Sequence, residues 1–204
     1  MYKFLTVSYA EMPAVENFFT AGERVYFDTL KIEKRRRDYA LGRYALKKLI
    51  AENFVKTDLK NIEILKSADG YPLLSVNGAP GRIYVSISHS NGYGAACASE
   101  TNKVGIDIEL IEERSKAWAE MCFTKTELSI GASAEYLTEL WAKKEAVSKV
   151  LNIGLTAGMH QMEFDGNKLN FYGSLTGTDG ITVDVNKNLA NFITAIAFKT
   201  GGIL

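Results

Sequence analysis

The chain has 204 residues, 47% of them hydrophobic and 24% charged, with 24 Lys and Arg balancing 24 Asp and Glu. That is the composition of a soluble globular protein able to bury a sizeable core, and it gives no electrostatic reason for nucleic acid or a membrane as partner, so any anion site must be local. No stretch is long and apolar enough to span a bilayer, MYKFLTVSYAEMP lacks the features of a signal peptide, and Cys97 and Cys122 have no metal-ligand spacing, which predicts a cytoplasmic protein with two reduced, structural cysteines.

YKFLTVSY has the aromatic and β-branched content of a strand. A first helix is predicted over 32–54, with Tyr39, Leu46, Leu49, Ile50 and Phe54 as its buried stripe. Three extended segments follow, IEIL, RIYVSIS and GYGAACAS, separated by the turn clusters DGYP, NGAPG and SNG. VGIDIEL opens the second half as a strand, and a second long helix is predicted over 135–151, with Tyr136, Leu140, Val147 and Leu151 on its apolar side. MEFDGNKLNFY reads as a hairpin closed by Asp165-Gly166-Asn167, and ITVDV and NFITAIAF read as strands. Strand, helix, several strands thus occurs twice without an obvious sequence repeat, which predicts an α+β fold of two similar lobes, 1–102 and 103–204, each a strand and helix followed by antiparallel strands.

In VGIDIEL, Asp107 and Glu109 share one strand face while Ile106, Ile108 and Leu110 take the other. Alternation of this kind also marks any strand with one wet face. Two carboxylates side by side in apolar surroundings, however, raise each other's pKa unless a cation, a basic side chain or water compensates. In LWAKKEAVSKV, Trp141, Lys144, Glu145, Ser148 and Lys149 fall on one side of the second helix, where a solvated Glu–Lys ladder would not include a tryptophan. If that helix lies on the acidic strand, Glu145 is a third carboxylate and the lysines stand a turn away, an oxygen-rich set suited to Mg²⁺ rather than zinc.

VSISHSNGYG places Ser88, His89 and Ser90 at a strand end; a nucleophilic hydrolase is not indicated, because GxSxG is missing and no acid is placed to orient the imidazole. In EKRRRDYALGRYALKK, Arg36, Arg43 and Lys47 line one flank of the first helix, either as snorkelling solubilisers or as an anion clamp.

ISHS at 87–90, GIDIE at 105–109 and WAKKEAVSK at 141–149, in that order and spacing, together with FTKTE at 123–127 and the arginine helix with LGR, resemble the 4′-phosphopantetheinyl transferases, in particular the larger, surfactin-type branch. The resemblance covers most of the chain. It implies an enzyme with its site in the cleft between the lobes, moving 4′-phosphopantetheine from coenzyme A to a serine of an acyl or peptidyl carrier protein and releasing adenosine 3′,5′-bisphosphate, as a monomer. By resemblance, Asp107, Glu109 and Glu145 are Mg²⁺ ligands that also bring the metal to the pyrophosphate. His89, Arg36 and Arg43 would hold the 3′-phosphate, and Ser88 and Lys149 would contact the pyrophosphate. Lys144 would bind phosphate or protonate the departing group, and Glu145 would take the serine proton, while Glu127 and Trp141 shape the site. The family often has a lysine-proline pair after a glycine in the first half; Gly70-Tyr71-Pro72 stands there, so Tyr71 and Pro72 are the corresponding nucleotide contacts and a charge is missing. The alternatives are another Mg²⁺-dependent phosphoryl-transfer enzyme, such as a nucleotide hydrolase, and a non-catalytic homologue that binds carriers or nucleotides.

Overall fold

The computed structural model describes residues 1–153, 159–166 and 168–200. The first lobe runs β1 (Lys3–Ser8), α1 (Ala21–Thr29), α2 (Glu33–Asn53), β2 (Ile62–Lys66), β3 (Pro72–Val76), β4 (Ala79–Pro80), β5 (Tyr84–Ser90) and β6 (Tyr93–Ser99). The second runs β7 (Lys103–Leu110), α3 (Lys116–Cys122), α4 (Lys125–Ile130), α5 (Ala134–Leu151), β8 (Met162–Asp165), β9 (Lys168–Phe171), β10 (Ile181–Asn186) and β11 (Phe192–Lys199). Each lobe holds a three-stranded antiparallel sheet, ordered β1-β6-β5 in one and β10-β11-β7 in the other. One long helix packs on each sheet, α2 on the first and α5 on the second. The α+β class and the two similar lobes stand as expected.

The duplication extends to a buried ion pair. In the first lobe Thr20 caps α1 and exchanges hydrogen bonds with Glu23, whose Oε2 accepts from Lys47 Nζ at 2.6 Å and whose Oε1 accepts from the Ile64 amide at 2.9 Å. In the second, Thr124 caps α4 and exchanges hydrogen bonds with Glu127, whose Oε2 accepts from Lys144 Nζ at 2.7 Å and whose Oε1 accepts from the Phe164 amide at 2.9 Å. Thr20 Oγ1 then donates to Glu63, and Thr124 Oγ1 to Glu163. Each lysine completes its donors on backbone carbonyls, Phe18 and Leu59 for Lys47, Cys122 and Met159 for Lys144. All four paired side chains are buried with 0% exposure. A charge removed from water is tolerable only with this degree of satisfaction. The sequence does carry the repeat, as FTAGE at 19–23 and FTKTE at 123–127.

The lobes meet through a shared apolar layer of Ala95, Cys97, Val104, Ile106, Ile108, Phe192 and Ile196. They are also joined by the serines of β5. Ser86 Oγ accepts from the Ile106 amide at 3.0 Å, Ser88 Oγ donates to Asp107 at 2.7 Å, and Ser90 Oγ accepts from the Leu110 amide at 3.4 Å. Alternate residues of one strand face thus reach β7 across the seam, which sets ISHS directly beside GIDIE. β5 turns into β6 at Asn91 and Gly92, both at positive φ, as a two-residue hairpin requires.

Both long helices and the strands IEIL, RIYVSIS, GYGAACAS, VGIDIEL, ITVDV and NFITAIAF lie where periodicity predicts them. The strands of the MEFDGNKLNFY hairpin do too; Asn167 of its turn lies outside the described residues. Four shorter elements and one two-residue strand, α1, α3, α4, β3 and β4, are additions. α1 is only nine residues long, buries only Glu23 and Phe27, and starts from its cap. β3 opens on Pro72, at the strand end where a missing amide is tolerated. Cys97 and Cys122 are free and buried, and burial pushes the Cys97 thiol up to about 12. Among the described residues no helix is long and apolar enough to cross a membrane.

Candidate functional site

The site forms where α5 lies across β7. Gly105 permits the approach, because a Cβ there would be driven into the backbone carbonyl oxygen of Ala146 in mid-helix. With the helix this close, Glu145 and Lys149 come down on the face of β7 that carries Asp107 and Glu109. Asp107 is 4% exposed; its Oδ1 accepts from Ser88 Oγ at 2.7 Å and from Lys149 Nζ at 2.9 Å, while its buried Oδ2 has no partner. Lys149 also donates to the Ile106 carbonyl at 2.7 Å. Glu109 Oε1 accepts from Trp141 Nε1 at 3.1 Å, and its other oxygen lies 3.8 Å from Arg114, whose guanidinium rests over the Trp118 ring. Glu145 Oε1 is buried without a partner.

The electrostatics follow from this packing. Desolvation, then the charge of Asp107, raises Glu145 to about 8 and Glu109 to about 7. Lys149 offsets part of the repulsion in both cases. Among the described residues no three His, Cys, Asp or Glu side chains already form a cation cage. The donor set nevertheless fits a hard cation: its members are carboxylates, two carry orphaned buried oxygens, and both glutamates hold protons more tightly than they would beside a positive charge.

A cleft of about 410 Å³ opens beside these acids, lined by Arg35, Asp38, Tyr39 and Arg43 of α2, His89 of β5, and Lys66 and Pro72 of the β2–β3 hairpin. The Arg43 guanidinium sits 3.3 Å from the Tyr39 ring centroid, and its buried Nε has no partner. His89 Nδ1 lies 3.8 Å from Asp38, and desolvation holds the imidazole below its usual value in spite of that carboxylate. A second cleft of about 710 Å³ shares the wall of Leu65, Gly70, Pro72 and Ile87 and reaches Tyr71, Lys149 and Asn152. On the far side of Glu109 a polar groove of about 380 Å³ is bounded by Lys34, Asn91, Arg114, Trp118 and Trp141.

Of the residues singled out in the sequence, Ser88, Asp107, Glu109, Glu145 and Lys149 converge, with Trp141 against Glu109, and His89 and Arg43 share the adjoining cleft. Two expectations are corrected. Lys144 does not face the acids: its ammonium is fully buried in the second-lobe ion pair, with all three protons directed to Glu127, Cys122 and Met159. Glu127 is likewise a partner of that lysine and shapes the site only through α5. Arg36 does not enter the cleft; it donates to the Phe27 and Leu30 carbonyls at the end of α1 and stacks 3.9 Å over the Phe27 ring. Its neighbour Arg35 lines the cleft instead. Tyr71 donates its hydroxyl to the Asn152 carbonyl at 2.7 Å, so it ties the β2–β3 turn to the end of α5. Lys66, Asp38 and Arg114 carried no sequence signal, since each joins the site only through tertiary packing.

The profile of the 4′-phosphopantetheinyl transferase superfamily matches residues 103–197, and that of the 4′-phosphopantetheinyl transferase N-terminal domain matches residues 29–99. A holo-[acyl-carrier-protein] synthase of Streptococcus agalactiae is 33% identical over 85 residues, covering 40% of this chain and 71% of its own. Its counterpart in Petrotoga mobilis is 29% identical over 94 residues, covering 41% of this chain and 79% of its own. The L-aminoadipate-semialdehyde dehydrogenase-phosphopantetheinyl transferase of Mus musculus is 30% identical over 146 residues, 63% of this chain and 47% of that one. With both profiles placed in order along the chain and an acidic strand–helix junction beside a cationic cleft, the protein belongs to the 4′-phosphopantetheinyl transferase superfamily.

Proposed function

We propose that the chain transfers 4′-phosphopantetheine from coenzyme A to a serine of an apo acyl or peptidyl carrier protein, releasing adenosine 3′,5′-bisphosphate, and that it is of the surfactin-type branch. The observation that carries this reading is the row of carboxylates, of which Asp107 and Glu145 are buried with an unpartnered oxygen each, next to a cleft lined by Arg35, Arg43, Lys66 and His89. The synthase relatives support a carrier as acceptor. The branch is supported by two lobes within one chain, of which each synthase relative matches only about 40%. We take 1–102 and 103–204 as the lobes and the chain as a monomer, since one chain supplies both sides of the cleft. Its free cysteines suit a reducing cytoplasm.

In this reading Arg35, Arg43 and His89 hold the 3′-phosphate, and Pro72 walls the nucleotide cleft. Ser88 and Lys149, already directed at Asp107, reach the pyrophosphate. Asp107, Glu109 and Glu145 are the oxygen donors for Mg²⁺, and the chemistry such an ion supplies is neutralisation of charge on the pyrophosphate. Glu145 Oε1 accepts the proton of the incoming serine hydroxyl as the serine oxygen bonds to the phosphorus bearing pantetheine. The bond from this phosphorus to the nucleotide 5′-phosphate oxygen breaks, and its electron pair leaves with adenosine 3′,5′-bisphosphate. The acceptor belongs to the partner, so no enzyme nucleophile is required.

The test is the intact mass of several apo carriers after incubation with coenzyme A and Mg²⁺. The expected result is a gain equal to the prosthetic arm, falling at least about a hundredfold in rate for Asp107→Asn with an unchanged circular dichroism spectrum. No gain with any acyl or peptidyl carrier overturns the reading, and full activity in the variant overturns the role of Asp107.

A further inference from the structure

Of the three acids at the junction, Glu109 is held least by its own surroundings. Asp107 takes hydrogen bonds from Ser88 and Lys149, and Glu145 is buried on α5. Glu109, in contrast, has a side chain 22% exposed at the edge of the 380 Å³ polar groove. Among the described residues its carboxylate receives one hydrogen bond, from Trp141 Nε1 at 3.1 Å. Arg114 stands beyond hydrogen-bond distance at 3.8 Å and is engaged at 2.9 Å with Glu112. An indole carries a single N–H on a rigid ring, so the direction of the bond to Glu109 follows from how the ring of Trp141 lies. That ring leans on Trp118 of α3, at 5.2 Å between centroids and an interplanar angle of 57°. Trp118 is itself braced on several sides. Ser115 caps α3 by accepting from the Trp118 amide at 3.2 Å, Phe123 meets its ring edge-on at 5.4 Å, and the Arg114 guanidinium lies over it at 4.9 Å. The line of rings thus runs from Phe123 through Trp118 to Trp141, and it ends on a carboxylate of the site rather than in the core.

We infer that Trp118 is a positioning residue for the site: through Trp141 it sets the direction in which Glu109 presents its oxygens to the divalent ion. The inference rests on the proposed function for the identity of that ion as Mg²⁺. Trp118 belongs to none of the motifs in the sequence, because its part depends on α3 packing against α5 and not on any spacing along the chain. Remote partners of a metal ligand fix its orientation, and their loss costs about 10- to 100-fold in metal affinity or activity. Leucine at position 118 keeps the contact apolar, which preserves the fold, but offers no flat ring for Trp141 to lean on; phenylalanine offers one.

The experiment compares Trp118→Leu with Trp118→Phe in the full chain. The chain has two tryptophans, so either variant leaves Trp141 as its one indole. Its fluorescence is followed as Mg²⁺ is added in the presence of coenzyme A and without any carrier. Trp118→Phe should respond with a midpoint near the Mg²⁺ concentration that gives half-maximal transfer in the wild type, and Trp118→Leu should need about tenfold more. In transfer assays at a fixed, subsaturating Mg²⁺ concentration, Trp118→Leu should be slower by a similar factor and recover as Mg²⁺ is raised, while Trp118→Phe stays close to the wild type. Affinity for adenosine 3′,5′-bisphosphate in chelator should be unchanged in both variants. Equal midpoints in the two variants, or an indole in Trp118→Phe that does not respond to Mg²⁺, overturn the inference. A loss of rate that added Mg²⁺ does not reduce, or a matching loss of nucleotide affinity in chelator, makes Trp118 a packing residue only and overturns it as well. Absence of transfer by the wild type with any carrier overturns the proposed function, and the fluorescence comparison still decides the role of Trp118.

Discussion

At the scale of single residues, the acids are held in a state that costs stability until something positive arrives. Glu145 has a folded pKa of about 8 against an ordinary value of 4.5. A carboxyl raised in this way binds its proton more tightly folded than unfolded. Its contribution is therefore fully present below the unfolded value and is lost as the pH rises through about 8. Glu145→Gln removes that penalty. In chelator, the variant should melt close to the wild type at pH 5 and above it at pH 9, by on the order of 2 kcal/mol or about 4–8 °C. Thermal denaturation at the two pH values checks this, and equal melting temperatures at pH 9 would show that Glu145 is not burdened by Asp107 and by burial. The same residues were legible in the sequence for this physical reason: acids set in a β-strand at period two, with a third acid on a helix, demand compensation. Lys144 and Arg36 were misleading, because helical spacing places a side chain on a flank but not against its partner. Lys144 falls to the Glu127 box and Arg36 to the carbonyls that end α1, and neither acceptor set exists until distant segments pack.

At the scale of elements, what brings the carboxylates together is how near α5 lies to β7. Gly105 leaves the helix backbone in contact with the strand, and Gly94 of β6 does the same for α2, where a Cβ would sit 2.9 Å from the Leu41 carbonyl oxygen. A backbone carbonyl in mid-helix cannot rotate aside as a side-chain end can, so Gly105→Ala must displace α5 or bend β7. Overpacking of this kind costs about 1–3 kcal/mol, and misplacing catalytic groups by an ångström costs about a hundredfold in rate. The variant should therefore lose kcat out of proportion to its loss of stability, while its affinity for adenosine 3′,5′-bisphosphate, held by α2, β5 and the β2–β3 hairpin, changes little. Transfer kinetics beside nucleotide titration separate the two, and a parallel loss of both would mean that α5 also builds the nucleotide cleft. The long helices and central strands were readable because each repeats its apolar residues over many positions. α1, α3 and α4 were not, being too short for a repeat to stand out, and each starts from a capping side chain, Thr20, Ser115 and Thr124.

At the scale of the whole molecule, the two lobes are copies that cannot part. Each has its own helix-on-sheet core, one around Leu41, Leu46 and Ile50, the other around Leu140, Val147 and Phe164. Between them, however, Cys97, Ile106 and Ile108 belong to neither, and the β5 serines satisfy amides of β7. Splitting the chain at this seam would expose an apolar layer and leave buried polar groups unpaired, so the lobes should unfold together. Besides the repeated order of elements, the FTxxE box is a trace of the duplication in the residues themselves, and it became recognisable once Lys47 and Lys144 were seen to close the same network. The two tryptophans make the coupling measurable, because Trp118 and Trp141 both lie in the second lobe. Leu46→Ala opens a cavity in the first lobe, where Leu46 is fully buried, and should cost about 2–5 kcal/mol. If the lobes are one cooperative unit, the urea midpoint followed by tryptophan fluorescence falls as far as the midpoint followed by far-ultraviolet circular dichroism, although the substitution touches nothing near either indole. A fluorescence midpoint that stays at the wild-type value would mean that the second lobe stands alone, and that the cleft is a junction of two independent domains.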